Sequence, residues 1–114
     1  YQDDATIKNL AQAAIFYQTA VSESEKFNNL EIDACNRLAD LYYKGDGVKK
    51  DYAQARLLYE KSAKNNNGYG HYQLGYMYWK GKGVSKDYGT AENYFNQAIE
   101  CGHEVPENIM DSFY

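Results

Sequence analysis

Few side chains in this 114-residue chain have the type and spacing to do covalent or metal chemistry. His71 and His103 are its two histidines, one at a helix start and the other just past a helix-ending glycine. Neither sits in a helix with Cys, Asp or Glu at ligand spacing, so no metal site is expected and both read as surface residues. Cys35 and Cys101 also lack ligand spacing, and two cysteines are too few for a disulfide scaffold. The Glu23/Glu25 and Glu104/Glu107 pairs read as solvated charge at helix ends, not as acid–base dyads. Two G-x-G elements, at 45–47 and 81–83, could be taken for a phosphate cradle. Each follows a helical pattern rather than a strand, and an aspartate stands just beyond it, so no nucleotide loop is expected. With no converging acid, base and nucleophile, neither an enzyme nor a cofactor is expected.

The remaining chemistry is that of recognition. The chain holds 13 tyrosines, four phenylalanines and one tryptophan, against nine glycines and a single proline. Its net charge of −4 gives no basic footprint for nucleic acid or anionic lipid. The longest apolar stretch, 11–21, is broken by Gln12 and Gln18, so no membrane span is expected. No signal-peptide pattern is present, and the chain begins at Tyr1, as a trimmed or mature chain would. A hydrophobic fraction of 44% with 25% charged residues belongs to one globular domain spanning 1–114.

The elements that position these side chains come from an internal repeat. Shifting the sequence by 36 residues lays 34–66 on 70–102, and YYKGDGVKKDY (42–52) matches YWKGKGVSKDY (78–88) at eight of eleven positions. Each unit reads as two helices around a tight turn. Ala34, Leu38 and Tyr42, with the copy Gly70, Leu74 and Tyr78, make one helical face. Ala39 and Gly75 are small enough to admit a neighbouring helix, and Gly45 and Gly81 stop the first helices. Gly47 and Gly83 complete the turns over Val48 and Val84, read as buried plugs. Asp51 and Asp87 stand where N-caps belong, each worth about 1 kcal/mol. The second helices are expected to bury Tyr52, Ala55, Tyr59 and Ala63, and in the copy Tyr88, Ala91, Phe95 and Ile99; Asn66 and Gly102 end the units. The stretch 9–21 aligns with 51–63 at an offset of 42, which predicts a helix over 5–27 from a partial N-terminal repeat. Pro106 suits the start of a short capping helix over 104–114 carrying Ile109, Met110 and Phe113.

The pattern A-x3-LG-x2-Y-x2-G-x-GV-x2-D-Y-x2-A-x3-Y-x2-A resembles the Sel-1-like repeat (SLR), a TPR-like, tetratricopeptide-related repeat of bacterial type. The departures are Ala39 for the usual Gly, Gly70 for the usual Ala and Asn66 for the usual terminal Gly. The resemblance implies an all-α fold, a right-handed α-solenoid of antiparallel helix-turn-helix units that serves as an adaptor for other proteins, without catalytic activity. It also implies a bacterial protein, with a periplasmic or secreted location favoured. A cysteine-rich subgroup of the family bridges the two helices of each unit. Cys35 matches one such place, but Ala63 stands at its partner position and His71 and Ile99 in the copy, so that bridge is not expected. Nor is a Cys35–Cys101 bridge: two helices intervene at roughly 8–10 Å per contact, against the roughly 7 Å between Cα atoms that a bridge spans. Two free thiols are expected.

A helix-pair stack leaves a concave face lined by the first helices. With Leu38, Ala39 and Tyr42 inward, the facing positions are Asp33, Asn36, Asp40, Tyr43 and Lys44, and in the copy Tyr69, Tyr72, Tyr76, Trp79 and Lys80. The copy keeps the skeleton and changes this face. Tyrosine and tryptophan give large, stiff contact area with a polar tip, so the face is expected to bind a protein or peptide partner, basic or amphipathic in character. The alternative on the same surface is an immunity protein that neutralises a secreted toxin, and a weaker one is a binder of, or enzyme on, cell-wall material.

Overall fold

The computed structural model describes Ile15 and residues 29–113. Over 29–113, five helices follow in order: α1 Asn29–Lys44, α2 Tyr52–Lys64, α3 Gly68–Lys80, α4 Tyr88–Glu100 and the short α5 Glu107–Met110, which tightens into a 3-10 turn at Asp111–Phe113. Among the described residues there is no strand. The helix expected over 5–27 lies outside the described residues except for Ile15, which is helical and exposed.

The helix boundaries follow from a few polar groups. Asp51 caps α2 by accepting from the Gln54 amide at 3.1 Å. Asp87 caps α4 by accepting from the Thr90 amide at 3.1 Å, and the Thr90 hydroxyl adds a second bond at 2.9 Å. The Thr90 amide bond, then that hydroxyl, holds the Asp87 carboxyl below the usual carboxylate range. Asn67 caps α3 through the Gly70 amide. At the far end of α3, Gly81 takes the left-handed conformation (φ 70°) and its amide donates back to the Met77 carbonyl. Each G-x-G turn is then tied shut from the aspartate side, Asp51 N to Tyr42 O and Asp87 N to Tyr78 O, both at 3.0 Å.

Consecutive helices pack against each other, α1 on α2, α2 on α3 and α3 on α4. The main core joins Ala34, Cys35, Leu38 and Ala39 of α1 to Ala55, Leu58, Tyr59 and Ala63 of α2 and to Leu74 and Met77 of α3. A second cluster sets Ala91 and Phe95 of α4 against Ile109 of α5. Helix α4 reaches α3 closely because Gly75 faces it: a Cβ there would stand 2.9 Å from the Phe95 ring. Both thiols are free, Cys35 buried in the core and Cys101 exposed.

Five burial expectations are corrected. Val48 and Val84 are half-buried rather than buried plugs, and Tyr52 is half-buried rather than buried. Tyr88 is 57% and Ile99 47% exposed, although both were expected inside. Their counterparts show why. Tyr52, the counterpart of Tyr88, lies under Gly83 of the following turn, and Ala63, the counterpart of Ile99, lies under Gly70 at the start of α3. Among the described residues no such turn covers Tyr88.

Candidate functional site

Polar contacts between residues far apart in sequence join α1 to the start of α3. The Asn36 side-chain amide donates to Asn67 Oδ1 at 3.0 Å, so the residue that caps α3 also anchors it to α1. The Tyr69 hydroxyl donates to both carboxylate oxygens of Asp40, at 2.9 and 3.0 Å, and the Tyr59 hydroxyl donates to Asp40 from α2. Burial first, then the neighbouring carboxylate, pushes the Tyr69 phenol up to about 12. The same two causes raise Tyr59 further.

Beyond this junction the α3 face is aromatic. The Tyr72 ring meets Phe95 at 5.8 Å and His103 at 5.0 Å between centroids, and Tyr69 meets His103 at 5.9 Å. Tyr76 and Trp79 make an edge-to-face pair at 5.8 Å, and Trp79 stands edge-on to Phe95 at 6.5 Å. Lys80 Nζ lies 4.2 Å over the Trp79 ring. Tyr43 of α1 meets Tyr52 at 5.2 Å. Its phenol is raised by burial, then by the neighbouring Tyr76 and Tyr52 hydroxyls.

The ten residues expected on this face therefore separate. Asn36 is buried, with its amide engaged by Asn67, and it offers nothing to a partner. Asp40 and Tyr69 hold each other and are half-buried. Asp33 is exposed and paired with Arg37 at 2.6 Å. Lys44 and Lys80 are exposed at the ends of α1 and α3. Tyr43, Tyr72, Tyr76 and Trp79 are half-buried; Tyr72, Tyr76 and Trp79 pack on the Ala91–Phe95–Ile109 cluster, and Tyr43 packs on the main core.

Both histidines are half-buried rather than simply on the surface. His103 belongs to the aromatic face through Tyr69 and Tyr72. The repeat offset carried the signal: His103 and Tyr72 are the counterparts of Asn67 and Asn36, so a hydrogen bond in one unit becomes a ring contact in the next. His71 sits on the other side of α3, by Tyr94, in a cleft of about 230 Å³ with Glu60, Lys64 and Leu74. Burial lowers its pKa and favours the neutral ring. Among the described residues no three His, Cys, Asp or Glu side chains could hold a metal, and no helix is long and apolar enough to cross a membrane.

The model of the family described as Sel1 repeat matches residues 32–67 and 68–103. The chain belongs to the Sel1 repeat family. A Sel1 repeat protein from Oxalobacter formigenes superposes with a TM-score of 0.71 at 28% identity, over 83% of this chain and 36% of its own. The protein c5321, a protective antigen of uropathogenic Escherichia coli strains with an SLR fold, gives 0.71 at 32% identity, over 83% and 19%. Cysteine rich protein B of Helicobacter pylori gives 0.61 at 26% identity, over 92% and 95%. The Sel1 repeat chain thus spans about a third and a fifth of the first two proteins. No curated protein matches it in sequence. Its all-helical architecture is that of the SLR solenoids. Sel1 repeat proteins generally mediate protein–protein interaction and are typically non-catalytic scaffolds.

Proposed function

We propose that this chain is a non-catalytic interaction module that holds a protein or peptide partner on the α1/α3 face. The contact area comes from Tyr43, Tyr72, Tyr76 and Trp79, bordered by Lys44, Lys80 and Asp33. The observation that carries the reading is the Tyr76–Trp79 pair. It lies edge to face at 5.8 Å with a lysine above the indole, and it stands where the first unit has Asp40 and Tyr43. A rigid, partly open aromatic pair with a cationic rim supplies apolar contact at low entropic cost.

Peptides selected from a displayed random library against the full chain provide the test. Tyr76→Ala with Trp79→Ala is expected to weaken the selected peptides at least about tenfold while helicity is kept. Lys80→Glu, at an exposed site, keeps the test open should the double variant misfold, and a smaller loss is expected from it. Undiminished binding in both variants would contradict the reading. The selected set also separates two kinds of partner: an adaptor accepts several related sequences, whereas an inhibitor of a secreted toxin holds one.

A further inference from the structure

Charge divides between the two edges of the stack. Residues 44–50 and 80–86, the two glycine turns, carry six lysines and one aspartate. Both turns lie on one edge, since a Cβ on Gly83 of the second would stand 2.5 Å from the Cβ of Tyr52, which follows the first. The stretch 100–111 carries Glu100, Glu104, Glu107 and Asp111, with no lysine or arginine. Its His103 is at the opposite edge, because a Cβ on Gly68, the first residue of α3, would stand 2.6 Å from the His103 Cβ. Helix α3 therefore runs from an acidic edge to a basic one.

At the acidic edge the aromatic face opens into a groove of about 750 Å³. Tyr72, Ile99, His103, Val105 and Pro106 line it, and the exposed Glu104 and Glu107 border it. Ile99 is 47% exposed, so apolar surface faces solvent there. Among the described residues neither glutamate has a salt-bridge partner. The combination suits an arginine: its aliphatic stem lies on Ile99 and Val105 while its guanidinium meets a carboxylate with two N–H groups. At the basic edge the exposed Lys80 holds its ammonium 4.2 Å over the Trp79 ring, where an acidic group would meet it.

Resting on the reading that this face holds a partner, we infer that the bound segment of the partner protein is charge-ordered. Its arginine occupies the groove at Tyr72, its acidic residue meets Lys80, and apolar residues between them cover Tyr76 and Trp79. One occupant thus fills groove and face, which are continuous through Tyr72. Helix α3 has 13 residues and measures about 18 Å from first to last. An extended segment crosses that length in about six residues, which sets the spacing of the two charges.

The test is a displayed heptapeptide library, selected on the full chain, with Arg, Glu or Ser at the first and seventh positions and five random positions between. Clones with Arg at one end and Glu at the other should be enriched at least about tenfold over those with Arg at both ends or Glu at both. On a chain carrying Glu104→Lys and Glu107→Lys, clones with Glu at both ends should lead instead. On Lys80→Glu, clones with Arg at both ends should lead, which keeps the inference open to refutation should the first variant misfold. No enriched clone, or enrichment that ignores the end residues or follows them identically on all three chains, would overturn the inference. In that case, clones that still lose binding on Tyr76→Ala with Trp79→Ala leave the proposed face standing. Clones indifferent to that double variant would remove the face and the inference together. Sedimentation showing the chain pairing with itself through the groove would overturn the inference as well, since a second copy would then be the occupant.

Discussion

Tyr59 donates its hydroxyl hydrogen to Asp40 across the α1–α2 pair, and the second unit has changed both partners. Phe95 stands where Tyr59 does and Tyr76 where Asp40 does, so donor and acceptor disappear together. Val105 likewise replaces Tyr69, the second donor to Asp40. A polar junction in one unit is an apolar one in the next, with the backbone plan unchanged.

Removing one partner of the polar junction leaves the other unpaired, so the two removals should not add. Asp40→Ala leaves the buried Tyr59 hydroxyl without its acceptor and should cost about 2 kcal/mol, whereas Tyr59→Phe should cost about 1 kcal/mol. The double variant should lose less than the sum of the two, as read from urea unfolding midpoints in a double-mutant cycle. Strict additivity would show that the contact carries no coupling.

The same junction sets an alkaline limit. Tyr69 is raised from the ordinary 10.0 to about 12 by burial and by Asp40. Its contribution is complete below the unfolded value of 10.0 and is lost as pH rises through about 12, because the unfolded chain releases the proton first. Stability should fall across that window, and Tyr69→Phe should flatten the fall. Denaturant unfolding at a series of alkaline pH values checks it; identical slopes for both chains would contradict it.

The thiols should behave oppositely. Burial pushes Cys35 up to about 11, and the core covers it, while Cys101 is exposed. A thiol reagent should modify the native chain once, at Cys101, and twice after denaturation. Mass mapping that finds Cys35 labelled in the native chain would contradict the packing of α1 on α2.

Two glycines with positive φ should respond unequally to alanine. Gly102 (φ 87°) has open space around its missing Cβ, so Gly102→Ala should cost about 1 kcal/mol from the backbone alone. Gly83 (φ 73°) faces Tyr52, so Gly83→Ala adds overpacking and should cost more than about 2 kcal/mol. Equal unfolding midpoints for the two variants would show that the Tyr52 contact is unimportant.

Local features were legible in the sequence because their causes are local. Asp51 and Asp87 cap α2 and α4 through amides three residues on, and Gly45 and Gly81 end α1 and α3, so spacing alone revealed them. What escaped depends on contacts between units. Asn36 reads as a facing polar residue until Asn67, 31 residues on, takes its amide into the interior. His103 looks like a loop residue until Tyr69 and Tyr72 close on it. Tyr88 repeats Tyr52 in type and position, and only the absence of an overlying turn among the described residues makes one exposed and the other covered.

Trp79 is the sole tryptophan, so its emission reports on the proposed face directly. A selected peptide titrated into the full chain should shift that emission to shorter wavelength, saturating with the Kd that calorimetry gives for the same pair. Full binding by calorimetry with unaltered Trp79 emission would place the partner elsewhere and contradict the account.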